Sequence, residues 1–175
     1  MFKLLYATIF LSMKTIKIKL NKKFNQLNYF VITKFFDIIN IGKYMENFDL
    51  EKLIELSFEA QKNSYAPYSK FNVGASLLCG SGKIYCGANI ENASYPTGIC
   101  AERVAYSKAI SEGEKEFVAI CITCSGNQFA YPCGICRQFM SEFSLDTKII
   151  VAKSPNEYEI HTLGELLPFT FDLKK

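Results

Sequence analysis

The sequence predicts an α/β layer fold, and three observations carry that expectation. Apolar residues recur at intervals of three and four after Asp49, short β-rich runs alternate with helical stretches further on, and Pro67, Gly80 and Gly82 punctuate the segments between them. Such alternation builds a sheet covered by helices.

The elements follow in order. Leu50, Leu53, Ile54 and Phe58 share a helical face, with Asn47 or Asp49 placed to cap it, so a helix is expected from Asp49 to near Ser64. Tyr65-Ala-Pro67-Tyr68-Ser-Lys70 breaks it. Phe71 to Cys79 and Lys83 to Ile90 then read as two strands of a hairpin turning at Gly80-Ser-Gly82. Ala101 to Ser111 is expected to be helical, Phe117 to Cys124 a strand, Gly134 to Phe143 a second such helix, and Lys148 to Ala152 a further short strand.

A chain of 175 residues is long enough for one domain with a real core, and 49% hydrophobic against 21% charged residues is ordinary for a soluble globular protein. No stretch approaches the roughly 18 uninterrupted apolar residues of a membrane span. Charge is divided unevenly. Residues 1–44 carry eight lysines and one acid, Asp37, net +7, whereas residues 45–175 carry twelve bases and sixteen acids, net −4. A negative catalytic half repels phosphate backbones, so a nucleic acid is not the expected partner and a small uncharged substrate is.

Residues 1–44 read as an extension to a domain spanning 45–175. Apolar Leu4 to Met13 followed by Lys14, Lys17, Lys19, Lys22 and Lys23 imitates a targeting peptide, but the segment has no arginine and no small-residue cleavage site. An appendage, or an upstream start with Met45 as the working initiator, fits as well. Seven cysteines, an odd number with two Cys-x-x-Cys spacings, point to thiols kept reduced and hence to the cytoplasm.

The cysteines also carry the chemistry. Cys100-Ala-Glu102 is followed by Pro132-Cys133-Gly-Ile-Cys136, three thiols and a carboxylate in a pattern that suits a catalytic zinc. Structural zinc sites close with four protein ligands, while hydrolytic ones offer three and leave the fourth position to water. Glu102 is placed to accept that water's proton. Cys100, Cys133 and Cys136 all fall at expected helix starts, where free N–H groups and the helix dipole favour thiolates. A redox dithiol at Cys133 and Cys136 would not need the distant Cys-Ala-Glu, and the single histidine, His161, lies far from the cluster, which disfavours a His-rich site or a Ser-His-Asp triad.

Cys121-x-x-Cys124 falls within a strand, where residues three apart face opposite ways and cannot chelate one ion. These two, with Cys79 and Cys86, are expected as core thiols, although either of the latter pair could approach the site across the hairpin. Three thiolates leave zinc formally at −1, which weakens its pull on water, so Arg103 is expected to donate to the ligand sulfurs. Asn89 and Glu91 alternate onto one face at a strand end, a pairing that suits sugar hydroxyls as well as a turn cap. Phe71 is either an aromatic wall for a planar base or plain core.

Four stretches together are more specific than the zinc motif: Tyr65-Ala-Pro-Tyr-Ser-Lys-Phe-Asn-Val-Gly-Ala75, Asn89-Ile-Glu-Asn-Ala-Ser-Tyr-Pro-Thr-Gly-Ile-Cys-Ala-Glu-Arg103, Pro132-Cys-Gly-Ile-Cys-Arg-Gln138 and Leu166-Leu-Pro-Phe-Thr-Phe171. From about Asp49 to Leu173 the chain resembles the homotetrameric zinc-dependent cytidine deaminases, whose zinc signature is shared by nucleobase deaminases at large. The resemblance implies a three-layer αβα fold with a mixed sheet, one Zn2+ per subunit on Cys100, Cys133 and Cys136, and Glu102 as proton shuttle. It implies that Phe71, Asn89, Glu91 and the Ala101 backbone hold base and sugar, and that Tyr95 and Phe171 act across subunit boundaries in a homotetramer. A cysteine as first ligand sets the chain apart from deoxycytidylate and tRNA-adenosine deaminases, and the Asn89–Glu91 pair from blasticidin deaminases. The expected activity is deamination of cytidine and deoxycytidine in pyrimidine salvage. A zinc-binding interaction module and a polynucleotide deaminase are the rival readings; Glu102 disfavours the first and the net charge of residues 45–175 the second.

Overall fold

A computed structural model of the protein describes residues 48–173, so the extension assigned to residues 1–44 and the start at Met45 lie outside the described residues. The described residues from Asp49 onward form one compact unit. Helix α1 (Leu50–Gln61) is capped by Asp49, whose side chain accepts from Lys52 N at 2.8 Å, and it buries Leu53, Ile54, Ser57 and Ala60. It stops short of Ser64. The amides of Lys62, Asn63 and Ser64 bond to carbonyls three residues back, tightening the chain into a turn before Tyr65.

Strands β1 (Val73–Cys79) and β2 (Ile84–Ala88) pair antiparallel, with Gly82 turning between them at φ 86°. Both are shorter than expected, for local reasons. Lys70 adopts a left-handed φ of 58°, and Asn72 N bonds to the Ser125 hydroxyl rather than to a neighbouring strand. Ile90 leaves the β2 ladder to bridge Ile99 and Tyr65. Helix α2 (Ala101–Ser111), strand β3 (Phe117–Cys124), helix α3 (Gly134–Ser141) and strand β4 (Lys148–Ser154) follow. An edge strand, β5 (Glu157–Thr162), and a short helix, α4 (Leu163–Leu166), complete the order. Neither was expected, because Glu157-Tyr-Glu-Ile-His-Thr162 has little buried area and no strong apolar alternation.

The sheet runs β2-β1-β3-β4-β5; β3 and β4 are parallel and every other pair antiparallel, which makes it mixed. Alternation assigns its two faces. Ala75, Leu77, Ile120, Ile122, Ile149 and Val151 pack with Ala105, Tyr106 and Met140 of α2 and α3. On the opposite face, Ser76 donates to Leu53 O at 2.6 Å and Ser57 meets Cys121 Sγ at 3.4 Å, which seats α1. The expected helix–sheet–helix layering is present.

Cys121 and Cys124 are both buried and diverge as expected: Cys121 faces Ser57, and Cys124 donates to Gln128 O at 3.4 Å. Burial pushes the Cys121 thiol up to about 12 and the Cys79 thiol up to about 11, so neither is poised as a thiolate. Cys86 lies 4.0 Å from Leu56 O, on the α1 side of the sheet. No helix among the described residues is long and apolar enough to cross a membrane.

Candidate active site

The site is built at the amino ends of α2 and α3, which pack against each other. Cys100 is the residue before α2 and Cys133 the residue before α3, both with extended backbone, while Cys136 lies in the first turn of α3. The sulfurs of these three lie within 4.8 Å of one another, and Cys100 and Cys133 are 3.9 Å apart. Tetrahedral coordination with zinc–sulfur bonds of roughly 2.3 Å demands sulfurs about 3.8 Å apart. The donor set and its spacing therefore fit zinc.

A hydrogen bond from Cys136, with others from Arg103 and Cys133, brings Cys100 down to about 5 against the cost of burial. The same interaction pushes Cys136, fully buried, upward. Arg103 Nη2 stands 3.9 Å from Cys100 Sγ and 3.5 Å from Gly98 O, so its guanidinium is turned onto the thiol cluster and not out to solvent.

Glu102 sits in the first turn of α2, only 4% exposed. Burial pushes its carboxyl up to about 7, with the Cys100 thiolate adding to the shift. A carboxyl poised near neutral pH can both take and give a proton. Ala101, beside it, is wholly buried.

A cavity of about 640 Å³ opens next to the thiols, lined by Tyr68, Asn89, Glu91, Tyr95, Cys100 and Arg103 among others. Glu91 accepts from the backbone N–H groups of Tyr68 and Ser69 at 2.9 and 3.2 Å, and bonds from Ser69 and Tyr68 hold its carboxyl below the usual range. Asn89 donates to Phe71 O at 2.9 Å and accepts from Val73 N at 2.8 Å. Phe71 is half-buried and lies outside the cavity lining. Tyr95, 79% exposed on a 3-10 turn (Tyr95–Thr97), meets Tyr68 edge to face at 6.3 Å. Phe171, 70% exposed, lies apart from that cavity near Ser141 and Glu142, its carbonyl held by Gln138 at 2.9 Å.

Sequence reasoning missed several supports of the site. Arg137 donates to Pro132 O at 2.7 Å and to Leu166 O at 2.8 Å, tying the Cys133 loop to the end of α4. Its position one residue past Cys136 was the available signal. The amides of Tyr68 and Ser69, and the hydroxyl of Ser64 on Asn89, carry no signal in residue type at all.

Three convergent thiols, a buried carboxylate and an adjoining cavity define a site for metal-assisted hydrolysis on an α/β layer domain. Residues 48–153 match the cytidine and deoxycytidylate deaminase zinc-binding region, and the chain belongs to that family. It is 44% identical over 124 residues to the cytidine deaminase of Halalkalibacterium halodurans, covering 70% of this chain and 94% of that protein. It is 42% identical over 128 residues to a probable cytidine deaminase of Dictyostelium discoideum, covering 73% and 86%. Among solved structures, cytidine deaminase from Burkholderia pseudomallei matches with a TM-score of 0.68 and 37% identity, over 71% of this chain and all of that one.

Proposed function

We infer that the protein catalyses hydrolytic deamination of cytidine to uridine, and we extend the reading to deoxycytidine and to a place in cytoplasmic pyrimidine salvage. The observation that carries it is Glu102, buried and neutral-poised beside three convergent sulfurs, in a chain of the deaminase family. Cys100, Cys133 and Cys136 would hold zinc. When bound, zinc supplies a Lewis acid that makes an adjacent water acidic near neutral pH.

Glu102 does the proton work. Its carboxylate takes a proton from the attacking water and delivers it to N3 of the pyrimidine as oxygen adds to C4. It then relays the remaining hydroxyl proton to the amino group; the C4–N bond breaks, ammonia leaves and the C4 carbonyl forms. Glu102 itself is shielded from bulk solvent, which favours direct transfer between its carboxylate and the reacting groups. Arg103 offsets the charge of three thiolates at Cys100.

Asn89 and Glu91, in the wall of the cavity, bind the sugar; the Ala101 backbone and Phe71, which lie outside that wall, are assigned to the base by resemblance to the family and not by contact with the cavity. Tyr95 and Phe171, exposed as large aromatics, serve neighbouring pockets in a homotetramer. The test is an assay on cytidine, deoxycytidine and their monophosphates with protein of measured zinc content. Zinc near one per chain and turnover of both nucleosides in preference to the monophosphates is the expected result; turnover of the monophosphates alone would overturn the substrate assignment. Sedimentation showing a fully active monomer would remove the roles given to Tyr95 and Phe171.

A further inference from the structure

Ser64 lies where α1 has ended and the chain runs in extended form toward Pro67. Two backbone bonds fix that segment against the end of β2: Tyr65 N donates to Asn89 O at 3.0 Å, and Glu91 N donates to Tyr65 O at 2.8 Å. The Ser64 hydroxyl, half-buried, is thereby brought onto the side-chain oxygen of Asn89, to which it donates a short hydrogen bond. Ser64 does not line the cavity; Asn89 does.

The side chain of Asn89 can be accounted for group by group. Its amide oxygen has two lone pairs, and its amide nitrogen carries two hydrogens. The oxygen accepts from Ser64 Oγ and from Val73 N, which fills both lone pairs. The nitrogen donates to Phe71 O. One N–H is left without a partner among the described residues, and the amide can offer a ligand nothing else. Beside it Glu91, held below the usual carboxylate range, is an acceptor. A hydroxyl satisfies both at once, accepting from Asn89 and donating to Glu91.

We propose that Ser64 is a positioning residue for nucleoside binding, fixing the Asn89 amide so that it faces the cavity as a donor only. The proposal rests on the reading of Asn89 and Glu91 as the sugar site and extends it to a residue that touches no substrate. The last side-chain torsion of asparagine is broad and weakly restrained by itself, so its direction must come from its partners. With Ser64, three bonds hold the amide; without it, two remain. A preorganised donor binds a hydroxyl at lower entropic cost than a loose one.

Steady-state kinetics on the full zinc-loaded chain test this, with cytidine and 2′,3′-dideoxycytidine as substrates for the parent, Ser64→Ala and Ser64→Thr. One neutral hydrogen bond corresponds to about a two- to tenfold change in affinity. Ser64→Ala is expected to raise KM for cytidine by about that factor, leave kcat within about twofold, and leave dideoxycytidine unaffected; Ser64→Thr, which keeps the hydroxyl, is expected to restore the cytidine KM. An unchanged cytidine KM in Ser64→Ala, or an equal rise for both substrates, overturns the role of Ser64. A parent enzyme that does not distinguish the two substrates instead overturns the Asn89–Glu91 sugar site, and the role of Ser64 with it.

Discussion

Gly87 of β2 lies so close beneath Ala101 that a methyl group on its α-carbon would stand 2.3 Å from the Ala101 carbonyl oxygen and 2.6 Å from Ala105 N. The strand thus supports the helix that carries Glu102 and follows Cys100, backbone against backbone. No rotamer change relieves such a contact, because neither partner is a side chain. On the other face Gly74 does the same for α1, with a methyl 2.0 Å from Ser57 O.

Gly87→Ala is therefore expected to destabilise the fold by about 1–3 kcal/mol or more through overpacking. It should also lower turnover, since displacing Glu102 by about 1 Å can cost about 100-fold. Thermal unfolding and kcat measured together check this. A variant with unchanged melting temperature and unchanged kcat would show that α2 does not rest on Gly87.

Glu102→Gln and Cys133→Ala should fail in different ways. The first removes the proposed proton shuttle, a role worth about 100- to 10,000-fold, while leaving the three sulfurs, so zinc content is expected to stay near that of the parent. The second removes a ligand, and both zinc and stability should drop together. Metal analysis beside an activity assay separates them; zinc loss in Glu102→Gln would make the carboxylate a ligand and sink its assignment as shuttle.

Arg103 faces Cys100 with Nη2 at 3.9 Å. On the role proposed for Arg103, removing its charge would leave the ligand sulfurs less compensated and the attacking water less acidic. Arg103→Gln is expected to cost about 10- to 100-fold in kcat. The acidic limb of the pH profile should move to higher pH. Arg103→Lys should restore little, because a point charge does not reproduce the planar guanidinium. An unshifted pH profile would leave Arg103 with a packing role alone.

Glu165 and Thr162 form a capping box at α4, with Thr162 N donating to Glu165 at 2.7 Å and Glu165 N to the Thr162 hydroxyl at 3.2 Å. The bond from Thr162 N holds the Glu165 carboxyl below its usual 4.5. A depressed carboxyl stabilises the fold above the unfolded value and loses that contribution as pH falls through the folded one. Glu165 is exposed and solvent screens its charge, so Glu165→Gln should cost at most about 0.5 kcal/mol at pH 7. The gap to the parent should close as pH falls below 4.5, the ordinary value. Melting temperatures at pH 7 and pH 4 check it; a gap of equal size at both would mean that the charge contributes nothing.

The chemistry was legible in the chain because the metal pattern is local. Cys133 and Cys136 are three apart at a helix start, and Cys100 and Glu102 are two apart at another, so residue type and spacing suffice for each half. Alternation was equally readable where strands are buried: Cys121 and Cys124 turned to opposite sides because a strand has a period of two. Strand ends were not, since Ser125, Asn89 and Lys70 stop the pairing through side-chain bonds and a single left-handed torsion that no apolar pattern marks.

The sequence by itself determined the class of fold, the three sulfurs and the carboxylate, through periodicity and short spacings that act within one helix or strand. Tertiary structure alone decided how these halves meet. It brought sulfurs 33 residues apart to 3.9 Å, buried Glu102 until its carboxyl reached about 7, turned Arg103 onto Cys100, and set Ser64 against Asn89 across 25 positions. Proton affinity and donor direction depend on what surrounds a group in space, and those surroundings come from distant parts of the chain.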